Sequence, residues 1–211
     1  MLGAVAAGAL APQAGLAQAI DIGGGIGVYF PIGALVEVGS PTMPETYFQQ
    51  RLQTTISFSA NAVVWTSDKI GIAGTISYSP SMVAVQDTSG ISDHHSSVVL
   101  ASARVLYAFT PMSFKPAPGH REAPWSWYVG LGVGVVSRSG NVWTYSSGLV
   151  SPAAVFDFGV RTPLGGRSVL RLDIEDYLSQ AQFDQGLPTE TAKQTHNDLS
   201  FVATFAYRLK R

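Results

Sequence analysis

The chain has 211 residues, of which 46% are apolar but only 13% charged, about half the ~25% usual in soluble domains. Its net charge of −1, with no basic cluster, excludes a nucleic-acid partner. Cysteine is absent, which removes disulfides, Cys-ligated zinc, iron–sulfur clusters and thiol chemistry.

Residues 1–19, "MLGAVAAGALAPQAGLAQA", carry no charge and end in Ala17-Gln18-Ala19, an A-x-A cleavage pattern. They read as an export signal. An N-terminal anchor helix is the alternative, but Pro12 and the weak hydrophobicity of Ala and Gly argue against it. The usual basic region ahead of such a signal is missing, so we expect the true translation start to lie upstream. No other run approaches the ~18–20 continuous apolar residues of a membrane helix.

From Ile20 onward helical periodicity is almost absent, and eight segments alternate apolar and polar residues with period two. They are 20–30, 51–65, 69–79, 97–109, 125–136, 153–162, 169–178 and 199–209. Each is close to the ~9–11 residues that cross a bilayer as a tilted strand. The connections 31–50, 80–96, 137–152 and 179–198 are long and fall on one side. On the other side, 66–69 and 163–168 are tight, and 110–124 is an exception rich in proline. Long loops on one side and short turns on the other, with an even strand count, fit a closed membrane barrel. The expected fold is all-β, an eight-stranded antiparallel up-and-down transmembrane β-barrel formed by residues 20–211 as one domain.

The decisive question is which face is inside. One face carries Phe156, Phe158, Leu170, Leu172, Ile174, Phe201 and Phe205, expected to meet lipid. The other carries Arg104, Arg161 and Arg171 against Asp157, Asp173 and Glu175, a balanced set of the kind a desolvated lumen requires. Glycine gathers on that same face (23, 25, 27, 71, 130, 132, 134, 159), where a crowded interior needs room. The fourth segment is the least clean, since Leu100 and Leu106 share this face with Ser102 and Arg104. A soluble sheet would reverse the two faces and leave the charges in water. Tyr107, Phe109, Trp125, Trp127 and Tyr207 fall at strand ends on the short-turn side, as interface aromatics do.

These features, with "GVRTPLGGRSVLRLDIEDYLS" at the penultimate hairpin, resemble the small outer-membrane β-barrels of the OmpA-like and OmpX-like kind over roughly residues 20–211. The resemblance implies an outer-membrane location, contact with outer-membrane lipid and lipopolysaccharide, and handling by the outer-membrane assembly machinery. Many members end in Phe; this chain ends Leu209-Lys210-Arg211, so that assembly signal is atypical.

Catalytic signals are weak. "DHHSS" (93–97) and "THND" (195–198) offer His and Ser or Asp, but both are expected in loops. Neither matches the histidine–serine context of lipid A deacylase barrels. The four histidines lack metal-ligand spacing, and "GGGIG" (23–27) is not followed by a helix, so neither a metal nor a cofactor is expected. Eight strands enclose a space just wide enough for side chains. The expected function is therefore structural or surface interaction with a plugged lumen, any unknown ligand being met by the long loops, and no catalysis. The competing readings are a narrow porin-like channel, a lipid-modifying hydrolase, and a soluble lipocalin-like barrel.

Overall fold

The computed structural model describes residues 19–38, 48–87, 90–110, 125–140, 150–181 and 194–209. Ten strands occur there: β1 (Ala19–Ile32), β2 (Val36–Val38), β3 (Phe48–Leu52), β4 (Thr55–Trp65), β5 (Ile70–Asp87), β6 (Gly90–Ala108), β7 (Ser126–Gly140), β8 (Val150–Gly165), β9 (Ser168–Ala181) and β10 (Gln194–Leu209). Eight of them, β1 and β4 to β10, pair antiparallel with their neighbours. The ring is closed by β1 against β10, from Ile20 opposite Leu209 to Ile32 opposite Asn197. Full closure leaves the ring no unpaired edge, which is what a sheet in hydrocarbon requires. The short β2 and β3 lie outside the ring and extend it at one end through β5. The predicted export segment, apart from Ala19 at the start of β1, lies outside the described residues, as do residues 111–124 of the long connection.

Alternation sets the orientation. Phe156, Phe158, Leu172, Ile174, Phe201 and Phe205 point outward and are exposed, Phe205 at 55% and Leu172 at 46%. Leu170 is on the same outward face but half-buried. Arg104, Asp157, Arg161, Arg171, Asp173 and Glu175 point inward and are at most 4% exposed. An apolar outer belt around an ionic interior is the reverse of a water-soluble barrel and rules out the lipocalin-like orientation.

Small residues make the interior fit. Gly71 lies under the ring of Trp65, Gly134 beside Tyr177, and Gly159 under Tyr128. Each pair puts a large ring over a position without a Cβ, so three bulky side chains share a narrow lumen. The tight turn between β8 and β9 uses Gly165 and Gly166, with φ of 110° and 60°, where a side chain would strain the backbone.

Four expectations need correction. The strands are longer than a bilayer crossing: β5 has 18 residues and β6 has 19, paired up to Asp87 opposite Gly90. The expected loop 80–96 is therefore mostly a protruding hairpin, because Ser, His and Val support a ladder in water as well as in lipid. "DHHSS" lies on β6 and "THND" on β10, so neither is in a loop. The expected loop 31–50 contains β2 and the start of β3. Finally, the segment 51–65 is two strands, broken at Gln53 and Thr54. The break flips the phase: unbroken alternation with Ile56 and Phe58 would turn Leu52 outward and Arg51 inward, but Leu52 is buried and Arg51 exposed.

Candidate functional site

The interior is built in tiers. In the middle tier, β8 and β9 set Asp157 directly opposite Glu175, and Arg161 directly opposite Arg171. Like charges facing each other destabilise a sheet unless a third group intervenes. Arg104 on β6 supplies it for the acids: Nη1 lies 3.0 Å from Asp157 Oδ2 and 2.6 Å from Glu175 Oε1, while Nη2 donates to Thr75 Oγ1. Tyr177 also donates to Glu175 Oε2 at 2.7 Å. The two arginines part company. Arg171 donates through Nη2 to Asp173 Oδ1 at 2.9 Å and through Nε to the Tyr128 hydroxyl at 3.0 Å; that hydroxyl itself donates to Asp173.

Arg161 turns toward the short-turn end, where Asp21 accepts from Arg161 Nε at 3.3 Å, Arg208 Nε at 3.2 Å and Trp65 Nε1 at 3.2 Å. At the opposite end Asp198 accepts from Arg138 Nη2 at 2.6 Å and from the Tyr29 hydroxyl. His196 is buried on the same inward face. Burial, then the positive charge of Arg138, pushes its imidazole below the ordinary range, against the pull of Asp198. It sits three residues above Leu199, at the outer rim of the belt, where its outward neighbours Thr195 and Asn197 are polar and Ile32 lies across from Asn197. Toward the outer end an apolar cluster of Leu35, Leu52, Val83, Val98, Leu100 and Val155 among others fills part of the lumen, beside buried serines such as Ser77, Ser79 and Ser200.

The six charged residues singled out from sequence thus do not form one cluster. Arg104 joins Asp157 and Glu175; Arg171 joins Asp173; Arg161 belongs with Asp21. The ion pairs among the described residues also recruit Arg138, Asp198 and Arg208, making five arginines and five acids. Arg138 and Asp198 were missed because the expected strands stopped at 136 and began at 199. Carrying the inward parity of Gly134 four residues further, and that of Ser200 two residues back, would have found both.

A second feature lies in the wall. The ladder between β4 and β5 stops at Phe58 opposite Tyr78, and pairing resumes only with Leu52 of β3 opposite Val83. Pro80, which has no N–H to offer, sits in the interruption. Side chains and one backbone bond replace the ladder: Gln53 N donates to Met82 O at 2.9 Å, Ser81 Oγ to Gln53 O at 2.8 Å, and the Thr55 hydroxyl to Pro80 O. Outside this stretch a cleft of about 640 Å³ runs from Thr54 across β5 and β6 to Ser139.

By sequence, no family model and no curated protein matches the chain. By structure it is similar to the outer membrane protein OprG from Pseudomonas aeruginosa, with a TM-score of 0.67 and 13% identity over 92% of this chain and 97% of that one. It is similar to Neisserial surface protein A (TM-score 0.54, 10% identity, 90% of this chain and 96% of that one). The outer membrane protein AlkL, solved in DMPC lipid bilayers, matches with TM-score 0.54 and 17% identity over 100% and 98%. The fold is that of the small outer-membrane β-barrels.

In an outer-membrane barrel the belt runs between two aromatic zones. Tyr107, Trp125, Trp127 and Tyr207 point outward at the short-turn end and are 46–51% exposed. Tyr107 packs edge-on against Phe109 at 5.8 Å, and Trp127 lies tilted against Phe158 at 5.7 Å. Trp65 goes the other way, into the lumen, where Asp21 accepts its indole N–H. His94 bonds Ser92 Oγ at 3.2 Å, but Asp93 is on the other face of β6 and accepts from Gln53 Nε2 at 2.8 Å.

Proposed function

We propose that this chain is an integral outer-membrane barrel whose lumen is plugged and whose role is structural or surface-interacting, without catalysis. The observation that carries this reading is the bridge from Arg104 to both Asp157 and Glu175, which spans three strands in the middle of the lumen with side chains 0–3% exposed. A hydrated ion would have to break that bridge and leave charges unpaired in a low-dielectric interior. Contacts with outer-membrane lipid, lipopolysaccharide and the assembly machinery belong to the same proposal, as does a surface ligand met at the outer end. Planar-bilayer recording tests it. The expected result is no steady current at neutral pH; an ohmic conductance in the unaltered protein would replace this reading with the narrow channel.

The wall interruption favours a second reading. An apolar cluster that includes Leu52 and Val83 fills part of the lumen above the Arg104 tier, and the β4–β5 ladder beside it is broken from Leu52 to Tyr78. A small apolar molecule entering from the outer end would find an ionic floor and a weak side wall, so it would leave sideways into lipid. Proteoliposome uptake of a small apolar dye tests this, with Pro80→Val as the variant that restores an N–H to β5. Uptake that falls in the variant supports sideways passage; unchanged uptake removes it.

A further inference from the structure

The cleft outside the β4–β5 interruption has a lining of unusual chemistry. It holds about 640 Å³, and its walls include Thr54, Tyr78, Met82, His95, Ser97 and Ser139. Among the described residues no Arg, Lys, Asp or Glu lines it; its titratable groups are His95 and Tyr78. It therefore lacks the cations a phosphate would need and the carboxylates that hold a metal or an ammonium group. What it offers is hydroxyl groups above an apolar strip. Ser97 and Ser139 share one hydrogen bond at 2.8 Å, which leaves the pair a donor proton and free lone pairs for a ligand. Tyr78 and Met82, outward and 48% and 40% exposed, give the flat apolar contact that the C–H face of a sugar ring prefers.

Position selects the source. Along β5 the outward residues below the cleft are Ile70, Ile72, Gly74 and Ile76, all exposed in the belt, and Tyr78 follows them directly. The cleft therefore opens at the edge where hydrocarbon gives way to headgroups. We propose that it is a binding site for the sugar headgroup of a membrane glycolipid, its hydroxyls on the serine pair and its chain running down over Tyr78 into the belt. The proposal rests on the barrel lying in a bilayer and is independent of whether the lumen conducts.

Native mass spectrometry of the folded protein in amine-oxide micelles tests it, with dodecyl maltoside, dodecylphosphocholine and free maltose as probes. Maltoside adducts should exceed those of the equal-chain phosphocholine. Ser97→Val with Ser139→Val should cut that excess by about tenfold, the loss expected for one or two hydrogen bonds. Equal adducts for the two detergents, or an excess that survives in the double variant, overturn the site. Maltose binding as tightly as the maltoside overturns the lipid source and leaves a site for soluble sugar. Heat-dependent gel mobility verifies that each variant is a folded barrel. Thr54→Val on the opposite wall serves as the second variant, with the same expected loss, so a serine variant that fails to fold does not end the test.

Discussion

The phenol of Tyr128 lies against Gly159, its direct partner across β7 and β8, so closely that a Cβ built at 159 would sit 2.3 Å from the ring and from its hydroxyl oxygen. The ring cannot swing away. It is fully buried, bonded to Arg171 and Asp173, and covered by the Arg171 guanidinium at 5.3 Å. Gly159→Ala should therefore lower stability by about 1–3 kcal/mol, as overpacking does. Urea unfolding from lipid vesicles measures it, and pairing the change with Tyr128→Ala should recover part of the loss.

Arg104 is the one cation in contact with both Asp157 and Glu175 among the ion pairs described. Arg104→Met should cost about 3–5 kcal/mol, because two acids are left buried without a partner. Replacing all three with apolar residues of similar volume should be close to neutral. Vesicle-based unfolding separates the two outcomes, and equal losses in the single and triple variants would contradict the account.

Leu172 lies in the outward belt, whereas Asn197 points outward at its rim, across from Ile32. Leu172→Arg should cost about 2–4 kcal/mol if it lies near the midplane, and Asn197→Arg about 0–1 kcal/mol. Folding yield into vesicles, read from heat-modified gel mobility, should follow that order.

His196 resists protonation in the folded state more than in the unfolded chain, because burial and Arg138 disfavour its cation. Above the ordinary imidazole range, near pH 6.5, it is neutral in both states and adds no pH dependence. As pH falls through that range the unfolded chain binds a proton that the folded barrel excludes, so stability drops. Urea midpoints at pH 7.5 and 5.5 should therefore fall on acidification, and His196→Gln should flatten the difference.

The alternation of Leu170, Leu172 and Ile174 with Arg171, Asp173 and Glu175 was enough, by itself, to tell strand from helix and one face from the other, because a strand's side chains change sides at every residue. The scarcity of charge and the glycines on the polar face then pointed the grease outward. Local pattern could not reach further. Only the ring's closure brought Asp21 of β1 within reach of Arg161 of β8, since partners separated by 140 positions share no local signal. Only pairing in three dimensions showed that β5 and β6 continue as a hairpin past the belt, since a ladder in water needs no greasy face. And only the break at Gln53 and Thr54, where the wall loses its hydrogen bonds beside Pro80, decided that Leu52 turns inward: a single irregular step inverts the parity of everything beyond it.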